Sequence, residues 1–198
     1  MTTGMEKIRV FICFELPTEV SHSVRDLIHY LKTFGRGVRW VHHDGIHLTL
    51  KFLGEIDSQR IKDVAAVVEK VAKNYAPFAL KLAGKGAFPD FKRPRVFWIG
   101  IRETADTIHR IQQDLENELE TVGFPKDKRQ FSPHLTLGRV KFNDPTVHKI
   151  ALELERMHVE EIEFSMDHIV IMKSDLHPNG AIYTPLRKIK MSRDDLRG

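Results

Sequence analysis

The sequence predicts an α+β fold: one bilobal, duplicated domain over residues 1–198, with two antiparallel-type sheets flanking a central cleft, helices outside and pseudo-two-fold symmetry. Three observations carry this expectation. The tetrapeptide H-L-T-L occurs twice, at His47–Leu50 and His134–Leu137, with the histidines 87 positions apart. Elements around each copy recur at nearly the same offset, which defines internal repeats of approximately 7–84 and 95–173. Short apolar runs also alternate with stretches of helical period, the pattern of strands interleaved with helices.

The elements follow in order. Ile8–Leu16 is almost continuously apolar and reads as a strand. Pro17 and Thr18 punctuate it, and Val20, Val24, Leu27, Ile28 and Leu31 then recur at helical spacing. The first motif is expected on a strand. After it, Asp57 or Ser58 is placed to cap a helix reaching Ala72, with an apolar stripe of Ile61, Val64, Val68, Val71 and Ala72. Phe78–Ala83 is the next strand. The second unit repeats the plan: strand Val96–Ile101, a helix from Thr104 to Val122 capped by Thr104 and stopped by Gly123, and the second motif strand. A helix over Asp144–Met157 and a strand-like run Ile162–Met172 complete it. His177–Gly180 reads as a turn between two final strands, and Met1–Glu6 and Ser192–Gly198 as fraying polar ends.

Bulk properties narrow the class. A hydrophobic content of 41% with 29% charged residues is ordinary for a soluble globular enzyme with a substantial core. The single cysteine, Cys13, lies in an apolar strand, so a packing role in a reducing compartment is expected. No signal-peptide layout and no apolar run of membrane-spanning length is seen, so the expected setting is the cytoplasm, as a monomer with no membrane or protein partner. A net charge of +4 and a pI near 9.2 suit an anionic partner. Lys85, Lys92, Arg93 and Arg95 form one basic cluster. Lys126, Lys128 and Arg129 form another, leading into the second motif, which Arg139 and Lys141 follow. Each cluster reads either as a phosphate track or as ordinary loop solvation.

Side chains two apart on a strand share a face. Each motif therefore offers an imidazole and a hydroxyl, His47 with Thr49 and His134 with Thr136, while its leucines pack behind. A single copy reads most simply as a chance strand pattern around a core histidine. Two copies at matched positions read as a site. A neutral imidazole takes a proton from water and an imidazolium gives one to a leaving oxygen; hydroxyls and a guanidinium hold anionic oxygens. Phosphodiester cleavage needs these parts, and the residues leave open which histidine is the acid.

Other candidates are weaker. His42, His43, Asp44 and His47 form an H-H-D-x-x-H run, but its spacing matches no strong zinc pattern and no metal is expected. Trp40, Phe131 and Tyr183 are either packing residues or surfaces for a nucleobase.

The segments W-V-H-H-D-G-I-H-L-T-L-K-F-L-G-E and R-Q-F-S-P-H-L-T-L-G-R resemble the two signatures of the RNA 2′,3′-cyclic phosphodiesterases, historically called 2′-5′ RNA ligases, of the two-histidine phosphoesterase superfamily. The resemblance runs from the first strand to G-A-I-Y-T-P-L. It implies a bilobal α+β fold with both motifs in a central groove, and metal-independent hydrolysis of an RNA terminal 2′,3′-cyclic phosphate to a 2′-phosphate. Reversible 2′-5′ ligation, no cofactor and RNA ends such as those of tRNA fragments as partners are further implications. His134 is then the general base and His47 the general acid. Thr49, Thr136 and Arg139 then hold phosphate oxygens and Tyr183 is a further substrate contact, while Arg129, from the basic loop before the second motif, and Phe52, from its place after the first, are substrate-contact candidates on position alone.

Arg139 poses a geometric question. It lies five residues after His134, an odd offset that turns it to the leucine face of an ideal strand; Gly138 offers a bulge that would restore it to the cleft. Phe52 has the same offset from His47, with Lys51 in place of the glycine, and is expected to pack in the core or else to stack on a base. Two alternatives to the RNA enzyme remain: an RNA-end binding module with little catalysis, and a phosphodiesterase of small cyclic nucleotides or ADP-ribose cyclic phosphate.

Overall fold

Alternation and periodicity sort the chain as expected. A computed structural model describes residues 6–42, 45–103, 106–142, 144–177 and 180–192. In order, these form β1 (Lys7–Glu15), α1 (Thr18–Lys32), β2 (Val38–Trp40), β3 (His47–Asp57), a 3₁₀ turn at Ser58–Arg60, α2 (Ile61–Ala72), β4 (Phe78–Phe88) and β5 (Val96–Arg102). Then come α3 (Thr107–Thr121), β6 (His134–Val140), α4 (Pro145–Arg156), β7 (Ile162–Met166), β8 (His168–His177) and β9 (Gly180–Lys190).

The two expected sheets are two halves of one. The strands pair in the order β7-β4-β5-β6-β3-β1-β8-β9, with β2 also against β6. The halves meet at a short antiparallel contact, Leu48 opposite Leu135. Both leucines are fully buried, so the motif strands close over a shared apolar core and their backbones pair where they touch. These halves do not follow the sequence halves. β4 pairs with β5 and β7, whereas β8 pairs with β1 and β9.

The helices cover the sheet. α2 and α3 pack together, with α2 against β8 and β9 and α3 against β3; α1 packs on α4, and α4 on β4. The apolar stripe of α1 is buried through Val20, Val24, Ile28 and Leu31. One core cluster runs through both halves. A smaller one joins Phe11, Cys13, Val170 and Met172, where burial pushes the Cys13 thiol pKa up.

Helix ends differ from expectation in two places. Asp57 makes no capping bond, because a 3₁₀ turn intervenes before α2 and the Ser58 amide donates to the Glu6 carbonyl at 2.9 Å. Thr104 lies outside the described residues; the Ile108 amide of α3 instead donates to the Glu103 carboxylate at 2.8 Å. Gly123 does stop α3, at φ +87°, and Asp144 caps α4 by accepting from the Thr146 amide at 2.7 Å. The run Ile162–Met172 is split at Asp167 into β7 and β8, which occupy opposite halves of the sheet. Of the expected final turn, His177 and Gly180 end the facing strands β8 and β9, and Pro178 and Asn179 lie outside the described residues, as do residues 1–5 and 193–198.

Candidate active site

The two motif strands break their alternation at the same step. In β3, Thr49 pairs with Cys13 and Lys51 with Ile12, which leaves Leu50 as an extra residue. In β6, Thr136 pairs with Trp98 and Gly138 with Phe97, which leaves Leu137 extra. Each is a β-bulge at the last leucine of H-L-T-L. The burial pattern shows it directly: Leu50 with Lys51, and Leu137 with Gly138, are consecutive buried residues. The added residue restores the fifth position to the histidine's face. Arg139 thereby reaches the cleft, and so does Phe52.

A cavity of about 340 Å³ is lined by both histidines, both motif threonines, Arg139, Phe52 and Tyr183. Phe52 is 55% exposed there, so its expected role in core packing does not hold. The residue that turns inward is Lys51. Its ammonium lies 2.6 Å from the buried Glu116 carboxylate of α3 and donates to the Pro125 carbonyl at 2.9 Å. Arg129 stays exposed in the loop before β6 and does not line the cavity.

The alternation of β1 also delivers residues that sequence reading passed over. Arg9 and Phe11 line the same cavity, as does Ser174 of β8. The signal was available: Arg9 is the one basic residue within the apolar run Ile8–Leu16, two positions from Phe11. Among the described residues no aspartate or glutamate lines the cavity, and the guanidiniums of Arg9 and Arg139 set the sign of the cleft.

Each histidine is set among aromatic rings. His47 lies 4.5 Å from Phe11 and 5.0 Å from Tyr183, centroid to centroid. Burial pushes its pKa down to about 4, partly opposed by a backbone hydrogen bond to Gly45. His134 lies 5.1 Å from Phe88 and 6.3 Å from Trp98. Its Nδ1 is 2.7 Å from the Ser132 carbonyl. Burial lowers its pKa, Ser132 raises it, and the Arg139 charge lowers it further. With Nδ1 donating to a carbonyl, Nε2 of His134 keeps its lone pair. Tyr183 is a wall against His47 rather than an open platform, and its hydroxyl pKa is pushed up by burial.

Some of the remaining basic and aromatic candidates have structural partners. The Lys85 ammonium donates to the Met157 carbonyl, and Asp90 accepts from the Lys92 and Arg93 amides, which closes that turn. Lys126 pairs with Glu120 at 3.2 Å. Trp40 stacks on Phe97, and Phe131 meets His109 edge-on. Of the H-H-D-x-x-H run, His43 and Asp44 lie outside the described residues. A larger cavity of about 420 Å³ opens where α1 begins, and it contains neither motif pair.

A profile of the 2′-5′ RNA ligase superfamily matches residues 22–178. An RNA 2′,3′-cyclic phosphodiesterase of Thermotoga maritima is 35% identical over 179 residues, covering 90% of this chain and 93% of the relative. One from Methanothermobacter thermautotrophicus is 30% identical over 187 residues, covering 93% of this chain and all of the relative. Among solved structures, a Thermus thermophilus protein superposes with a TM-score of 0.79 at 28% identity, over 94% of this chain and 100% of that one. Escherichia coli LigT complexed with 3′-AMP shares the fold at a TM-score of 0.72 and 22% identity, over 95% of this chain and 100% of that one.

Proposed function

This chain belongs to the 2′-5′ RNA ligase superfamily, and we propose that it hydrolyses the terminal 2′,3′-cyclic phosphate of RNA to a 2′-phosphate by paired-histidine acid–base chemistry. One observation carries the reading: both H-x-T pairs and Arg139 line a single cavity. The relatives named RNA 2′,3′-cyclic phosphodiesterase support the substrate class.

In this mechanism His134, neutral and with Nε2 free, takes a proton from water. The water oxygen bonds to phosphorus as the bond from phosphorus to the 3′-oxygen breaks. His47 gives its proton to that 3′-oxygen. Thr49 and Thr136 donate to the non-bridging oxygens, and Arg139 offsets the charge that builds on them. Because burial disfavours a charged His47, the arriving anion must restore its proton affinity, which ties the acid's readiness to a filled site. A 5′-hydroxyl in place of water would give a 2′-5′ link. Phe52 offers an open ring to a base and Tyr183 bounds the pocket. RNA fragments with cyclic phosphate ends, those of tRNA included, are the partners, and the lone buried Cys13 suits a reducing cytoplasm.

An end-group assay tests this on a short RNA carrying a 2′,3′-cyclic phosphate, in the presence of EDTA. Conversion to a 2′-phosphate is expected. A folded protein that leaves the end intact would shift the reading to a binding module or to a small cyclic phosphate substrate.

A further inference from the structure

β2 brings a third arginine, Arg39, beside the groove. Its register against β6 is Val38 opposite Val140, Arg39 opposite Arg139 and Trp40 opposite Gly138. Directly opposed residues share a face, with Cβ atoms roughly 5 Å apart. Arg139 faces the cleft, so Arg39 does too. The neighbouring side chain agrees: Trp40 stacks on the fully buried Phe97, which puts Trp40 on the core side and Arg39 on the other.

This pairing is unfavourable in an empty protein. Like charges directly opposite one another repel. Among the described residues neither arginine has an acidic partner, and Arg39 is exposed. The strand is nevertheless held at both ends, by the Val41 amide on the Leu137 carbonyl at 2.9 Å and the Lys141 amide on the Gly37 carbonyl at 2.7 Å. A fixed guanidinium pair fits two anionic groups joined along one chain.

We infer that Arg39 holds the phosphodiester next to the reacting end, so that the site prefers an RNA terminus to a cyclic mononucleotide. This rests on the cyclic-phosphate reading above. The cavity is at the small end of the range for ligand sites and suits one nucleotide, with Arg139 at its wall. Arg39 lies one strand beyond that wall, placed for the phosphodiester on the 5′ side of the terminal nucleotide. Arg9, by contrast, lines the cavity itself, within the space of the terminal nucleotide.

The test compares a tetranucleotide ending in a 2′,3′-cyclic phosphate with 2′,3′-cyclic AMP, for wild type, Arg39→Ala, Arg39→Lys and Arg9→Ala, across a range of salt. Equilibrium binding of the fluorescent tetranucleotide is measured in parallel. Arg39→Ala is expected to raise KM and Kd for the tetranucleotide on the order of tenfold, with kcat and all mononucleotide kinetics unchanged. The slope of log Kd against log salt should fall by about 0.7, the value for one contact on a single strand. Arg39→Lys should keep that slope. Equal effects of Arg39→Ala on both substrates, no effect on either, or loss of the preference in Arg9→Ala alone would overturn the assignment. A wild type that turns over neither substrate defeats the cyclic-phosphate reading, and the salt slope of binding then decides Arg39 on its own.

Discussion

Phe52 and Arg139 hold the same position on two different strands: each is the fifth residue after a cleft histidine, and each is turned to the cleft by a bulge at the leucine three residues after that histidine. The same backbone device thus presents an apolar ring on one wall and a guanidinium on the other. Phe52 suits a base and Arg139 suits a phosphate.

The ring on β3 should act in binding and not in stability. Because Phe52 is largely exposed, Phe52→Ala should shift unfolding by no more than about 0.5 kcal/mol. Loss of base stacking is worth about 1–3 kcal/mol, so KM for an oligonucleotide should rise at least fivefold with kcat little changed. Denaturant titration and steady-state kinetics separate the two; a large stability loss would mean the ring is a core residue after all.

The bulge on β6 depends on the absence of a side chain at Gly138. A Cβ there would stand 2.7 Å from Val38 Cγ1 and 3.0 Å from Trp40 Cε3, with the Arg39 carbonyl at 3.1 Å. Gly138→Ala should push β2 outward, cost about 1–3 kcal/mol and weaken phosphate binding through displaced Arg139. Inorganic phosphate as a competitive inhibitor reads the displacement: its Ki should rise in this variant and hold steady if the bulge tolerates a methyl group.

Behind the other bulge, Lys51 is a buried cation that needs its anion. Lys51→Ala leaves Glu116 in the interior without it, and a cost of about 3–5 kcal/mol is expected. Lys51→Ala combined with Glu116→Leu should recover a good part of this. A double-mutant cycle with no coupling would contradict the pairing.

The histidines set two pH dependences. Both pKa values lie below the ordinary value near 6.5, that of His47 at about 4. Between these values the unfolded chain binds more protons than the folded one, so stability rises with pH across about pH 4 to 6.5 and is lost as pH falls. His47→Gln should flatten that loss, as thermal melts across the window would show. The proposed mechanism requires His47 protonated and His134 neutral, which in the free enzyme favours acidic pH. Bound phosphate raises the proton affinity of both, so the bell for kcat should lie at higher pH than the bell for kcat/KM. Coincident profiles, or activity flat across the range, would count against the paired roles.

Much of this was legible in the chain. The H-L-T-L pairs and the period-two and helical patterns placed both motif strands, all four helices and both histidines, because each depends on local side-chain alternation. Arg139 required the further inference of a bulge, for which Gly138 was a visible cue. Lys51 gave no such cue, since a lysine at a bulge reads as solvent-facing until its distant partner Glu116 is known; that is why Phe52 looked like core. Arg129 sat near the motif in sequence, but its loop carries it away from the cleft. The joining of the sheet at Leu48 and Leu135, and the exchange of β4 and β8 between halves, depend on contacts far apart in the chain, where local pattern is silent.

That exchange has a consequence for synthesis. A chain made from its N-terminus lays down β1 and β3 early, yet the wall that carries Ser174 and Tyr183 comes from β8 and β9, its last two strands. His47 therefore lacks its Tyr183 neighbour until β9 has been made. A chain without β8 and β9 lacks the Ser174 and Tyr183 wall, so the cleft is complete only once both halves of the sheet have formed.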